Sequence, residues 1–525
     1  MLETYALLME RFPAIAFLLP HLQKREERKK EEIAIDPGTA QIIYFYGIGS
    51  LEAYFSLMDW LEKEATRQLI FVEDDPDEIV AFLHLPAAKK ALQHPRIFVT
   101  GPDQVDAWIN ESPLARIATF ALPSKEGDKY ERWKEALLKK IFISYGVFAE
   151  FHQSHILFSQ LLENLNHLPH SFHANALKGA FAGVPAMIAG AGPSLSSAIP
   201  LIQRAEKKAL LIGGGSALPA LTHWGIVPHF GLVCDPNEEE LLRLKNVAAF
   251  EMPLLYTPRL FPAVFNTCSG PFGYLGLSGT CATPWQLCIE ELLGLATPPV
   301  GEDLSEIVLS STALSLAWAQ FLGCNPIFLA GIDLAYRKDC RYAPGVATTH
   351  LPSAEILGDR KIVKNGVSTA VRWVSESLCF SRFAKDHPET LFFTLTQEGL
   401  GFSDIPHCPI EEAEEKYLTQ EWPLKERVIQ EILRHPMPAA TERLLLDARK
   451  SWEKSLTRSL RLLEVLSGER GGIAPLAEEE LENEPVFTFL RQEAGLWLDR
   501  QNGINEKERW AILLERARKH HRCLV

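Results

Sequence analysis

The sequence predicts an α/β chain with a doubly wound, mostly parallel central sheet, a smaller α/β domain before it and a helical region after it. Three observations carry this reading. Short apolar runs recur between 186 and 330, separated by helical segments. Several of those runs break at glycine and restart as a helix, as in Ala186-Met-Ile-Ala-Gly-Ala-Gly-Pro-Ser-Leu195. Beyond Glu411 the composition shifts to Leu, Glu, Arg and Ala at helical spacing.

In chain order, residues 1–32 read as helix. Gln41 to Gly49 is a strand ending in glycines, followed by a helix from Leu51 to Arg67 and the strand Gln68 to Glu73. Ile97 to Val99 and Ile117 to Leu122 read as further strands, which makes 1–125 an α/β domain with a leading helix. Gly47-Ile-Gly49 matches the first half of a dinucleotide or S-adenosylmethionine fingerprint, with Glu73 and Asp74 at the next strand end where a ribose would bind. No third glycine follows, so a folded scaffold without a ligand is the plainer reading. Residues 126–179 read as a helical connector, 180–408 as the central domain and 409–525 as helices broken at Pro436, Pro438, Gly471-Gly472, Pro475 and Gly503. This last region reads as a packing or partner-binding layer.

At 525 residues the chain exceeds one core, and 47% hydrophobic with 23% charged residues is ordinary globular composition. A net charge of −14 argues against a general nucleic-acid binder. The basic run Lys24 to Lys30 and the acidic run Glu478 to Glu484 read as solvated surfaces. Nine cysteines without a C-x-x-C pair point to reduced thiols and a cytoplasmic location, and no metal-ligand spacing is present. No apolar segment of about 18 residues predicts a membrane span. Glu3 and Glu10 flank the first apolar stretch, a poor match to a signal peptide.

The central strands are Met187 to Ala189, Ala209 to Ile212, Phe230 to Cys234, Leu254 to Tyr256 and Ile327 to Ala330, with helices over Leu195 to Lys207, Ala217 to Trp224, Glu238 to Leu244 and Thr312 to Leu322. In such sheets ligands bind beyond the carboxyl ends of the strands. Those ends are Gly190-Ala191-Gly192-Pro193-Ser194, Gly213-Gly214-Gly215-Ser216, Asp235-Pro236-Asn237 and Gly331-Ile332-Asp333. Gly190 and Gly192 allow a tight turn and close approach, and Pro193 sits in the first turn of the helix opened by Leu195. The N–H groups of that turn favour an anion, usually a phosphate. Gly213 to Gly215 equally suit a tight strand–helix connection, Asp235 a helix N-cap and Ser194 a cap of its own helix. Asp333 follows a very apolar strand with no obvious helix behind it.

Gly190-Ala-Gly-Pro-Ser-Leu195 is similar to the opening motif of the motility accessory factor family, flagellin glycosyltransferase-like proteins. Their central domain is shared with archaeal-type 6-hydroxymethylpterin diphosphokinases, and a related turn appears in bacterial CMP-sugar sialyltransferases. Pro228-x-Phe230 leading to Asp235-Pro236, Ser311-Thr312-Ala313, and Leu322-Gly-Cys-Asn-Pro326 leading to Gly331-Ile-Asp-Leu-Ala-Tyr336 extend the resemblance over roughly 180–405. The chain departs from the family at Ile332 (usually Gln), at His229 (commonly Asp), near Tyr342 (where a His is usual) and in Thr396-Gln-Glu-Gly-Leu-Gly401.

The resemblance implies a bacterial, Rossmann-like transferase. It would move a nucleotide-activated sugar, a CMP-nonulosonate, onto a protein Ser or Thr. Gly190, Ala191, Gly192, Pro193, Ser194 and Leu195 would then cradle the donor phosphate, with Gly213, Gly214, Gly215 and Ser216 admitting the ribose or base. Asp235 or Asn237 would hold sugar hydroxyls, with Thr312 among the donor contacts. Tyr336, or Arg337 beyond it, would stabilise the leaving phosphate, and Asp333 or His350 would act as general base. No resident cofactor is expected beyond the donor. An ATP-dependent diphosphokinase is the second reading, with Mg²⁺ on Asp235 and Asp333. A catalytically degenerate binding or assembly protein is the third, motivated by the departures at the ligand edge.

Overall fold

The computed structural model describes residues 2–17, 19, 41–49, 51–105, 128–245, 247, 251–277, 283–295, 298, 300–301, 310–337, 340–346, 361–364, 366–468, 474–499 and 504–524. They form two compact units that divide between Phe148 and Ala149.

In the first unit, strands β1 (Ile42–Tyr46), β2 (Gln68–Val72) and β3 (Ile97–Thr100) pair in parallel in that order. Helices Glu52–Lys63, Pro76–Leu83 and Ala88–Gln93 connect and cover them. At the start, helix Leu2–Arg11 ends early and a short turn of helix, Pro13–Ala16, follows. The predicted strand Ile117 to Leu122 lies outside the described residues. Gly47 and Gly49 both have positive φ, 94° and 50°. Their turn closes on Glu73, whose carboxylate accepts the Ile48 amide at 3.0 Å and the Asp74 and Asp75 amides at 3.0 and 2.9 Å. The residue the sequence offers to a ribose is here fully buried and bonded to backbone.

The second unit is organised by a parallel sheet with eight strands among the described residues, ordered β13-β10-β5-β6-β7-β8-β9-β4. These strands are β4 (Phe172–His173), β5 (Ala186–Ala189), β6 (Leu210–Gly214), β7 (Phe230–Val233), β8 (Leu254–Tyr256), β9 (Phe272–Tyr274), β10 (Ile327–Ala330) and β13 (Phe392–Thr394). Between the last two, β11 (Lys361–Lys364) and β12 (Val367–Ala370) form an antiparallel hairpin. The α/β, doubly wound reading holds, with every strand pair of the large sheet parallel.

Its central strands are buried at every position, as a parallel sheet covered on both faces requires. On one face Ile188, Ile212, Phe230, Leu232 and Leu329 pack with Trp318 of helix Ser311–Phe321 and Phe380 of helix Val371–Asp386. On the other, Met187, Ala189, Leu211 and Phe328 pack under helix Leu195–Arg204, while Val233, Leu254 and Tyr256 meet Phe158 of helix Asp128–Asn164 and the C-terminal helices.

Those last helices are Thr441–Leu466, Ala474–Glu482, Pro485–Leu498 and Glu506–Leu524. They enclose a buried ionic trio. Arg516 Nη2 and His520 Nε2 each lie 3.2 Å from Glu493 Oε2, and the Trp285 indole N–H donates to Glu493 Oε1 at 2.8 Å. Burial alone would raise the Glu493 carboxyl, but His520 and Arg516 outweigh it and hold the group below its ordinary range. The trio ties the bundle to helix Pro284–Leu292 and so to the sheet.

Candidate functional site

The strand order fixes where a ligand would bind. The chain steps outward from β5 to β9, then returns on the other side of β5 to lay down β10 and β13. The topological switch point therefore lies between β5 and β10, and the crevice opens beyond their carboxyl ends.

At the β5 end, Gly190 N–H donates to Ala330 O and Gly192 N–H to Gly331 O, both at 2.7 Å. A Cβ on Gly190 would stand 2.4 Å from Gly331 O, and one on Gly192 2.8 Å from Asp333 Oδ2. The smallness of these two residues makes room for the neighbouring strand end. Ser194 donates its amide to Asp333 Oδ2 at 2.8 Å, and its hydroxyl donates to Oδ1. Asp333, 6% exposed, thus sits at the N-terminus of helix Leu195–Arg204, where the sequence reading places a phosphate. Burial raises its carboxyl above the ordinary range, against the lowering effect of the two Ser194 bonds. Ala191 and Pro193 are half-buried at the rim of this turn, and Leu195 is in the core. From the far side Leu400 N–H donates to Asp333 O at 2.9 Å. A Cβ on Gly399 (φ +111°) would lie 2.4 Å from that same oxygen.

At the β6 end, the absent side chains of Gly214 and Gly215 admit Ser311, whose Oγ would be 2.9 Å from a Cβ on either. Gly213 packs against Leu218 and Leu221, and Ser216 and Thr312 are half-buried beside the turn. A Cβ on Gly215 would also lie 3.7 Å from Glu240 Oε2. Glu240, 1% exposed, pairs with Arg243 at 2.7 Å, and burial raises its carboxyl to about 7. Asp235, at the β7 end, pairs with the same Nη1 of Arg243 at 3.2 Å. It also accepts the Asn237 amide at 3.0 Å and the Asn237 side-chain amide at 2.8 Å. Asn237, one residue before helix Glu238–Leu244, is the cap position there, so Asp235 makes an Asx turn ahead of it.

Beyond β10, Leu334 has a positive φ of 49° and its carbonyl accepts Thr369 Oγ1–H at 2.5 Å. Tyr336 N–H donates to Ser368 O at 2.7 Å, and its ring lies 4.8 Å from that of Trp373. Arg337 is exposed and pairs with Glu398 at 3.0 Å. His350 lies outside the described residues.

The structure thus brings Gly190, Gly192, Ser194 and Asp333 into one contact set, and Gly215, Asp235 and Asn237 into a second around Glu240 and Arg243. Both stand along the carboxyl edge of adjoining strands. Sequence reasoning missed Ser311 as a packing partner, together with Glu240, Glu376 and Trp373. Glu376, 8% exposed on helix Val371–Asp386, accepts the hydroxyl of Ser310, which in turn caps helix Ser311–Phe321 through the Ala313 amide at 3.0 Å. Burial raises Glu376 to about 7. Among the described residues no group of three or more His, Cys, Asp or Glu is placed to hold a metal ion, and no helix is long and apolar enough to cross a membrane.

The raised Glu376 gives a stability prediction. The folded state holds this proton more tightly than the unfolded one, so its contribution is complete below about pH 4.5 and is lost as pH rises through about 7. Glu376→Gln, which still accepts from Ser310, is expected to flatten that decline. It should raise stability at pH 8 by about 2 kcal/mol, read by urea denaturation at pH 5 and pH 8. Parallel pH profiles for both proteins would count against it.

The family model for 6-hydroxymethylpterin diphosphokinase MptE-like proteins matches residues 159–339, the stretch that runs through β4–β10 to Tyr336. Among solved structures, a MAf glycosyltransferase from Magnetospirillum magneticum AMB-1 aligns with 92% of this chain and 78% of its own, at 15% identity and a TM-score of 0.48. No curated protein matches. The resemblance drawn from the glycine motif and its companions therefore holds: over residues 159–339, which carry β4 to β10, this chain is similar to the MptE-like family.

Proposed function

We propose that this protein is a glycosyltransferase that moves a nucleotide-activated sugar, a CMP-nonulosonate, onto a protein Ser or Thr. The observation that carries the reading is the convergence of two glycine turns, Ser194 and Asp333 at the switch point of an MptE-like sheet. In this scheme the β6 turn from Gly213 to Ser216 receives the nucleoside, and the donor phosphate approaches the start of helix Leu195–Arg204. Asp333 there competes with the phosphate for the Ser194 donors. The phosphate reaches those donors only when the Asp333 carboxylate turns aside.

Transfer then forms a bond between the acceptor oxygen and the anomeric carbon while the bond from that carbon to the phosphate oxygen breaks. The electron pair leaves with CMP, and Asp333 takes the acceptor's proton as general base. A carboxyl held above its usual range by burial is a stronger base than an exposed one. Tyr336, three residues on, would steady the departing phosphate.

The test is calorimetric titration of CMP into the wild type and Ser216→Leu, a bulky change at a half-buried turn position. The variant is expected to bind about tenfold more weakly or worse, a difference of about 1.4 kcal/mol. Equal affinities, or no heat with either protein, would remove the proposal.

The family description favours a second reading, pyrophosphoryl transfer from ATP to a hydroxymethylpterin. Its candidate Mg²⁺ ligands are both engaged, Asp235 by Arg243 and Asn237 and Asp333 by Ser194. Release of AMP on incubation with ATP, Mg²⁺ and hydroxymethyldihydropterin would establish it in place of sugar transfer.

A further inference from the structure

Gly213, Gly214 and Gly215 leave the β6 turn without side chains of its own, and a later helix fills the space. Ser311 opens helix Ser311–Phe321. Its Cβ stands 2.8 Å from where a Cβ on Gly214 would be, and its Oγ 2.9 Å from one on Gly215. From the other side the Gly215 amide donates to Leu232 O of β7 at 3.0 Å. Contacts this close have no slack, so a shift of Ser311 passes to the turn.

Ser310, one residue earlier, fixes the start of that helix. Its Oγ accepts the Ala313 amide at 3.0 Å, and its own proton goes to Glu376 Oε1. With the proton committed to Glu376, the oxygen lone pairs face the helix N–H. Glu376 comes from helix Val371–Asp386, which packs on the same face of the sheet. Burial and the Ser310 bond are the influences on its carboxyl, and burial, the larger, raises it to about 7. Arg372, one turn back on the same helix, has its guanidinium carbon 5.8 Å from the Trp373 ring centroid, and no charged side chain is among the influences on Glu376. Ionised, Glu376 is a buried charge with a serine hydroxyl to hold it. Drawing in water or moving outward relieves that charge, and either change slackens the Ser310 cap.

We propose that Glu376 is a positioning residue: through Ser310 it sets the start of helix Ser311–Phe321 and with it the turn from Gly213 to Ser216, so that loss of its proton weakens nucleoside binding. This rests on the reading above that the turn receives the nucleoside, and it names a control on that site. Affinity is then full while Glu376 is protonated and declines as pH rises through about 7. By reciprocity a bound nucleoside holds the Glu376 proton more tightly.

The test uses the full chain with cytidine as the probe, because it carries no phosphate to titrate beside the protein. Affinity is read by protein NMR at pH 6 and pH 8, with folding checked by circular dichroism at each. The wild type is expected to bind about fivefold more weakly at pH 8. Glu376→Gln, which stays neutral and still accepts from Ser310, should keep the pH 6 affinity at both. Glu376→Ala should be weak at both, and where it melts early the Gln variant carries the comparison. In the free wild type the isotope-labelled glycine amide signals of Gly214 and Gly215 should move with a midpoint at about pH 7, and in Glu376→Gln they should stay fixed. Fixed glycine signals in the wild type would overturn the proposal. So would measurable affinities that run parallel with pH in the wild type and Glu376→Gln. Glycine signals that follow Glu376 in a protein that ignores cytidine would refute the nucleoside reading and leave the coupling of Glu376 to the turn standing.

Discussion

Gly190→Val is expected to destabilise the central unit by about 3 kcal/mol or more. The added Cβ alone would stand 2.4 Å from Gly331 O and 2.7 Å from Ile332 Cγ1. The first of these is backbone in a central strand pair, where Gly190 N–H is already bonded to Ala330 O at 2.7 Å. Relief requires separating β5 from β10, which breaks that bond and opens the packed faces on both sides. Urea denaturation and a thermal melt read the loss. Gly495→Ala is the control: nothing lies within 4 Å of the added carbon, and the residue is inside helix Pro485–Leu498. That change should be neutral or stabilising by up to about 1 kcal/mol. An unchanged midpoint for Gly190→Val would mean that the two strand ends are farther apart than described. Gly192→Val meets the same oxygen at 2.7 Å and the Asp333 carboxylate at 2.8 Å. It would therefore report on folding as much as on a phosphate.

Asp333→Asn is expected to lower kcat by about 10²- to 10⁴-fold, the usual contribution of a general base. CMP affinity should hold or increase. The amide oxygen still accepts from Ser194, which limits the structural cost, while the negative charge that competes with a phosphate is gone. Because burial raises the Asp333 carboxyl, the wild-type rate should climb with pH through a midpoint above the ordinary carboxylate range, and the variant should lack that limb. Loss of rate and affinity in equal measure would instead assign Asp333 to donor binding.

The strands that sequence reading locates are those with unbroken apolar runs, because a strand buried on both faces needs one. Phe272-Gly-Tyr274 escapes that filter. It has three residues with glycine at the centre, and Phe172 fills the space beside Gly273, 2.3 Å from where a Cβ would be. β4 and β13 are shorter than a helical turn and carry no period at all. The glycine and carboxylate ends of β5, β6, β7 and β10 are legible because such ends have one place to go in a doubly wound sheet. Their partners are less so. Glu240 closes the run Glu238-Glu-Glu240, which reads as a solvated first turn, yet it is buried against Arg243. The three-residue spacing of Glu240 and Arg243 is the signal that was available. Trp373 and Glu376 lie in an amphipathic helix whose pattern says only that one side faces a core.

The bond from Ser194 to Asp333 joins residues 139 apart, and the Leu400 amide donates to the Asp333 backbone carbonyl. During synthesis the first half of the crevice leaves the ribosome long before the second. A chain ending before residue 330 would carry the opening motif without the strand end and the carboxylate that close on it.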